Sequence, residues 1–166
     1  MPSRLKKKQG RKLPLSEAKI KNYAFLLLKY RLRSEKELFH RLKKKGFPEE
    51  KIKELISFLK ERNFLNDEEF AREWIASRLR KGFGLRRISE ELREKGISQQ
   101  LWEEEFSKLN YCEKETVEEL ARRKFAKLKD LPYFKARNRL YAYLMRRGFS
   151  NEIVQEVLDN LCRQIP

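Results

Sequence analysis

The sequence predicts an all-α fold: an elongated tandem array of three three-helix repeats, about nine helices, behind a flexible basic N-terminal arm. Three observations carry that prediction. First, Gly46, Gly96 and Gly148 each sit four residues after an apolar residue (Leu42, Leu92, Leu144) and directly before another (Phe47, Ile97, Phe149). They recur at intervals of 50 and 52 residues, a period expected of one supersecondary unit copied in tandem, each too small to bury much core alone. Second, apolar residues between the glycines follow the three-and-four spacing of a helix face, and nothing reads as a strand. Third, cap-forming residues stand near the expected helix starts.

In order along the chain, residues 1–17 hold Pro2, Gly10 and Pro14 among lysines and arginines, without apolar periodicity. They read as a flexible basic arm, the alternative being an inert solubilising tail. The first repeat, 18–65, opens with a helix whose buried stripe is Ile20, Tyr23, Ala24, Leu27 and Leu28. Its second helix runs over about 34–45 and its third buries Ile52, Ile56 and Leu59. The second repeat, 66–110, repeats the scheme with Phe70, Ala71, Trp74 and Ile75, then a helix over 85–95, then Trp102, Phe106 and Leu109. The third repeat, 111–166, has Val117, Leu120, Ala121, Phe125 and Leu128, a helix over 133–147, and Val154, Leu158 and Leu161. Each glycine suits a left-handed helix terminus, and the apolar residue after it packs back on the last turn. Pro48 then suits a first turn, and Ser98 and Ser150 suit caps. Ser34 with Glu37, Asn66 with Glu69, and Thr116 with Glu119 have capping-box spacing.

The 166 residues carry 41 Lys and Arg against 25 Asp and Glu, a net charge of +16. A pI near 9.9 implies a polyanion or a partner with acidic surface. By segment the charge is +5 over 1–17, +8 over 18–65, −1 over 66–110 and +4 over 111–166. The basic field therefore gathers at the two ends, and the middle repeat is expected to make a different contact. Apolar residues are 40 % of the chain and periodic, which excludes disorder of the whole. No apolar run could span a bilayer, and the basic N-terminus lacks a secretory h-region. Cys112 and Cys162 lack metal-ligand spacing and read as free thiols in a reducing compartment. The expected location is the cytoplasm, with no membrane partner, and the chain is expected to act as a monomer.

Catalysis is not expected, nor is a metal or a cofactor. His40 is the single histidine and lies on a charged helix surface, where a solvated side chain is the natural reading. Three Cys and His residues in all are too few for ordinary zinc sites. Gly82-Phe83-Gly84 lacks the strand and remaining glycines of a nucleotide fingerprint. Glu103, Glu104 and Glu105 read as a solvated acidic face. The informative clusters are cationic. Arg78, Arg80, Lys81, Arg86 and Arg87 flank the glycine turn of the middle repeat, where guanidinium groups suit phosphate or carboxylate. The alternative for some of them is pairing with Glu68, Glu69, Glu73 or Glu90. Arg41, Lys43, Lys44 and Lys45 close a helix in the first repeat, where cations also favour the helix C-terminus. Arg122, Arg123, Lys124, Lys127, Lys129, Lys135, Arg137 and Arg139 interleave with Tyr133 and Phe134 in the third. Those aromatics serve either base stacking or the core.

The middle repeat carries a recognisable pattern: Phe64-Leu65-Asn66-Asp67-Glu68-Glu69-Phe70-Ala71, Trp74-Ile75, Arg78, Gly82-Phe83-Gly84, Arg87-Ile88 and Glu91-Leu92-Arg93-Glu94-Lys95-Gly96-Ile97. It resembles the signature of the RecX family, bacterial regulators of the RecA recombinase. The flanking repeats resemble that family's first and third, so the likeness spans roughly 18–162. The resemblance implies an array that docks along a RecA–DNA filament and inhibits filament growth, coprotease activity and strand exchange. It further implies a contact region among Arg78, Gly82, Gly84, Arg87, Arg93 and Lys95, with Trp74, Ile75, Ile88, Leu92 and Gly96 maintaining the fold. The implied partners are the RecA nucleoprotein filament and its single- or double-stranded DNA. Two alternatives stay open on the residues alone: a RecA-independent, largely sequence-nonspecific nucleic-acid binder, and a helical scaffold for an acidic protein.

Overall fold

A computed structural model describes residues 17–128 and 130–163, apart from the side chains of Cys162 and Arg163. Nearly all of the predicted arm, and the thiol of Cys162, lie outside the described residues. Cys112 is an exposed free thiol.

The described residues form nine α-helices in three triplets and no strand. The first triplet is α1 (Glu17–Tyr30), α2 (Glu35–Lys45) and α3 (Glu49–Glu61). The second is α4 (Asp67–Arg80), α5 (Leu85–Glu94) and α6 (Gln99–Ser107). The third is α7 (Glu113–Phe125), continued by a 3-10 turn over Ala126–Leu128, then α8 (Tyr133–Arg146) and α9 (Asn151–Arg163). The chain divides into two compact units, Met1–Leu65 and Asn66–Pro166. The first unit therefore holds the first triplet, and the other two triplets share the second.

Local chemistry places most of the helix ends. Gly46, Gly96 and Gly148 all have left-handed backbone, with φ of 94°, 84° and 81°, a conformation costly for any residue with a β-carbon. At Gly96 the amide donates to the Arg93 carbonyl and the Ile97 amide to that of Leu92, each at 3.0 Å, so the terminal carbonyls of α5 are satisfied. Phe47, Ile97 and Phe149 are buried as predicted. Ser34 accepts from the Glu37 amide, Asn66 from those of Glu68 and Glu69, Ser98 from Leu101 and Ser150 from Ile153. Two cap expectations fail. Thr116 lies inside α7 and its hydroxyl donates back to the Cys112 carbonyl at 3.3 Å; Cys112 holds the cap position without a side-chain bond. Pro48 is itself the cap of α3, with extended backbone, rather than a first-turn residue.

Each triplet buries its own core. Ile20, Ala24, Leu38, Leu42, Ile52 and Leu59 centre the first, and Val117, Leu140, Leu144, Phe149, Val154 and Leu158 the third. At about 1.5–3 kcal/mol for each large side chain removed from water, these clusters dominate the stabilisation. The middle core is thinner: Phe70, Ala71, Ile75, Ile88, Leu92 and Ile97. Trp102, Phe106 and Leu109, predicted as the buried stripe of this repeat's third helix, are only partly covered, and Leu109 lies beyond the end of α6. The cause is length. With nine residues against thirteen in α3 and α9, α6 is too short to roof its bundle, and its one fully buried residue is Glu105.

Candidate functional site

The predicted cations divide into free and engaged groups. In the first unit, Arg41 and Lys44 are exposed and make no ion pair among the described residues, whereas Lys43 pairs with Glu49. The Lys45 ammonium lies 5.5 Å from the Tyr23 ring. In the second unit, Arg80, Lys81, Arg86, Arg93 and Arg139 are exposed and make no ion pair among the described residues. Arg122 and Arg123 lie 3.4 and 3.6 Å from Glu118 and Glu119, one turn back on the same helix. Lys124 sits 5.2 Å from the Tyr143 ring, and Arg137 bonds Asp159 at 2.8 Å and Gln155 at 3.1 Å. Lys95 lies 4.2 Å from the Trp74 ring. His40 is exposed and its Nδ1 lies 2.7 Å from the Lys36 carbonyl. Tyr133 and Phe134, read as stacking or core residues, are exposed, Phe134 by 70 %.

Arg78 and Arg87 belong to an internal assembly at the glycine turn. Trp74 on α4 donates from Nε1 to Glu91 of α5 at 3.0 Å, and Arg78 donates from Nε to the same oxygen at 2.6 Å. Arg87 donates to the other oxygen at 3.2 Å. The three guanidiniums of Arg78, Arg87 and Arg147 surround the Phe83 ring at 5.6, 4.4 and 5.3 Å, distances suited to cation–π attraction. The glycines on either side of Phe83 let the third triplet close on the second. The Gly84 amide donates to the Arg147 carbonyl at 2.8 Å. Arg147 returns two bonds from Nη1, to the carbonyls of Lys81 at 2.6 Å and Gly82 at 2.7 Å. Arg87 adds one to the Arg146 carbonyl at 3.1 Å. A β-carbon on Gly84 would stand 2.3 Å from the Gly148 oxygen, and one on Gly148 would stand 2.4 Å from the β-carbon of Arg87. The G-F-G turn is thus a joint that fixes two triplets into one body, with backbone against backbone. Of the candidate carboxylate partners named from sequence, none holds Arg78; Glu91 does. Its spacing of four from Arg87 is the signal that points to it. Arg147, remote in sequence from the turn it clamps, has no comparable signal.

Glu105 corrects a second expectation. It is 4 % exposed rather than part of a solvated acidic face, and it accepts from Lys108 at 2.6 Å and Arg72 at 3.1 Å. The bond from Lys108 is the main reason its carboxyl titrates below the ordinary value, with the bond from Arg72 adding to it and burial opposing. A depressed native value means that the contribution to stability is complete above the unfolded carboxyl range and is lost as pH falls through the folded one. Glu105→Gln is therefore expected to destabilise the second unit at neutral pH, with the deficit shrinking below about pH 4. Urea midpoints for both chains across that range check this; a deficit independent of pH would leave the carboxylate without its assigned role.

Among the described residues, no group of three or more His, Cys, Asp and Glu is arranged to hold a metal ion, and no helix is long and apolar enough to cross a membrane. What the surface offers is cationic side chains mounted on rigid helical bundles.

Comparison with known proteins matches each triplet in turn. Residues 21–59 match the first three-helix domain of RecX, 66–104 the second and 113–158 the third. A regulatory protein RecX of Clostridium perfringens (strain 13 / Type A) is 35 % identical over 149 residues, covering 86 % of this chain and 70 % of that protein. One from Haemophilus influenzae (strain PittGG) is 33 % identical over 132 residues, covering 79 % and 87 %. The crystal structure of RecX from Lactobacillus salivarius superposes with a TM-score of 0.74 at 24 % identity, covering 89 % of this chain and 97 % of that one, a likeness of fold. With the three domain matches falling one to a triplet and relatives a third identical along most of its length, the chain belongs to the RecX family.

Proposed function

We propose that this protein regulates RecA by binding the RecA–DNA filament and inhibiting its recombinase, ATPase and coprotease activities. It would thereby modulate homologous recombination, DNA repair and the SOS response. The observation that carries the reading is family membership across all three triplets. Exposed, unpaired cations in both compact units support it. A filament presents the same protein and phosphate surfaces at every subunit, so several weak contacts on linked bundles gain by avidity, and contacts to phosphate are salt-dependent. Arg41, Lys43, Lys44 and Lys45 would face the filament from the first unit and the free arginines from the second. The setting is the cytoplasm and the acting species a single copy of the chain.

The test is the DNA-dependent ATPase rate of cognate RecA preassembled on single-stranded DNA while this protein is titrated in. A fall at substoichiometric protein is the expected result. A fall only once DNA sites are saturated would instead favour the RecA-independent nucleic-acid binder, and an unchanged rate at every ratio would sink both the inhibition and its partner.

A further inference from the structure

We propose that the outward faces of α8 and α5 form one track for the backbone of a single nucleic-acid strand, with Phe134 and Trp102 as base-stacking platforms. The proposal deepens the reading above, taking the DNA of the filament as the ligand and naming where it runs.

The first observation is the composition of α8. Its fourteen residues include Lys135, Arg137, Arg139 and Arg146 and no Asp or Glu; every other described α-helix contains at least one. Arg137 turns inward to Asp159. Lys135, Arg139 and Arg146, at intervals of four and seven, lie on one outward stripe. All three are exposed and make no ion pair among the described residues. This sets α8 apart from α7, whose Arg122 and Arg123 face glutamates on their own helix. An unneutralised stripe is unfavourable to the helix by itself, which is the expected signature of a surface kept for an anion.

The second observation is continuity across the joint. One cavity of about 250 Å³ is bounded by Arg146 and Met145 of α8 and by Arg86 and Glu90 of α5. A neighbouring one of about 240 Å³ shares Arg86 and Glu90 and extends past Arg93 to Trp102 of α6. Arg86 and Arg93 are two turns apart on α5, exposed and free of ion pairs among the described residues. The five cations therefore follow a path of about 16 Å along α8 and about 10 Å along α5, and the hydrogen bond from Gly84 to Arg147 holds the two parts rigidly together.

The third observation favours one strand over two. Phe134, 70 % exposed at the start of α8, flanks the cationic stripe on the side of Met145, three turns on, which lines the near cavity, and Trp102 lines the far cavity. Exposed aromatic faces flanking a cationic path suit unpaired bases, whose π-faces are free; in a duplex those faces are already stacked. Glu90 is the one carboxylate lining both cavities, and it opposes phosphate there.

The test uses the full chain and fluorescence anisotropy of a labelled oligothymidylate, measured against salt and beside a duplex of equal length. Substituting both Arg86 and Arg146 by Gln is expected to lower the slope of log K against log salt by about 1.4, or about 0.7 for each phosphate that is no longer neutralised. R122Q/R123Q lowers it less. Phe134→Ala weakens single-strand binding about fivefold or more and leaves duplex binding the same, while Glu90→Gln tightens single-strand binding, a gain that misfolding cannot imitate. An unchanged slope in R86Q/R146Q, tighter binding of duplex than of single strand, or no binding by the wild type overturns the track. If the wild type inhibits RecA but R86Q/R146Q keeps the full salt slope, the track fails and the regulatory reading stands. If R86Q/R146Q loses the slope but the wild type leaves RecA untouched, the reverse holds.

Discussion

Gly84→Ala is expected to destabilise the Asn66–Pro166 unit by about 3 kcal/mol or more, the upper end for atoms forced into closed packing. The new methyl carbon would stand 2.3 Å from the Gly148 oxygen, 2.5 Å from its carbonyl carbon and 2.6 Å from the Phe149 nitrogen. All three are backbone atoms, so no rotamer change relieves the clash. The hydrogen bond from the Gly84 amide to Arg147 would break with it, one of the four hydrogen bonds that close the joint. Gly148→Ala is expected to cost at least as much, since its approaches to Arg87 at 2.4 and 2.5 Å come on top of a φ of 81°. Gly96→Ala supplies the comparison. It has the matching cap with φ of 84°, and the left-handed strain of an L-residue is about 1–2 kcal/mol. Urea unfolding of the three variants, read with hydrogen exchange to separate the two units, measures the order. Gly84 itself has an ordinary φ of −80°, so its substitution carries no left-handed strain, and a Gly84→Ala loss smaller than that at Gly96 would show that the joint contributes little.

The pattern of these glycines explains what could be foreseen from the chain. Gly46, Gly96 and Gly148 announce themselves because a helix terminus is a local event: an apolar residue four before, another just after, and a left-handed residue between. The same locality makes Ser34, Asn66, Ser98 and Ser150 legible as caps. Thr116 misleads because its spacing to Glu119 imitates a capping box while the helix already begins at Glu113. Gly84 is legible as a turn and illegible as a joint, because the atoms that exclude its β-carbon lie more than sixty residues away in sequence. Glu105 is misread for a related reason. Three consecutive glutamates look solvated, and only the shortness of α6 and the positions of Arg72 and Lys108 draw the third inward. Cation counts show where charge gathers, but they do not show which cations are free. Arg78 and Arg86 are indistinguishable in composition, yet one is held by Glu91 and the other is free.

That contrast makes Glu91 the position where fold and recognition separate, and Glu91→Ala is expected to cost about 3 kcal/mol. The carboxylate accepts from Trp74, Arg78 and Arg87 at once. Its side chain is 18 % exposed, and that of Arg78 23 %. Removing it leaves an indole N–H and a largely covered guanidinium without an acceptor, and a broken buried pair costs about 3–5 kcal/mol where solvent cannot replace the partner. Arg87, 43 % exposed, recovers part of its hydration, which places the expected loss at the low end of that range. Glu91→Gln keeps the shape and one acceptor oxygen, turns a donor toward the arginines, and is expected to cost about half as much. A double-mutant cycle with Arg78→Ala decides what Arg78 is for. If its guanidinium serves the joint, the two losses fall well short of adding, because removing either partner already forfeits the pair. Arg78→Ala alone should then weaken filament binding only as far as it loosens the second unit. Additive losses, or a binding defect in Arg78→Ala with unfolding unchanged, would return Arg78 to the surface that meets the partner.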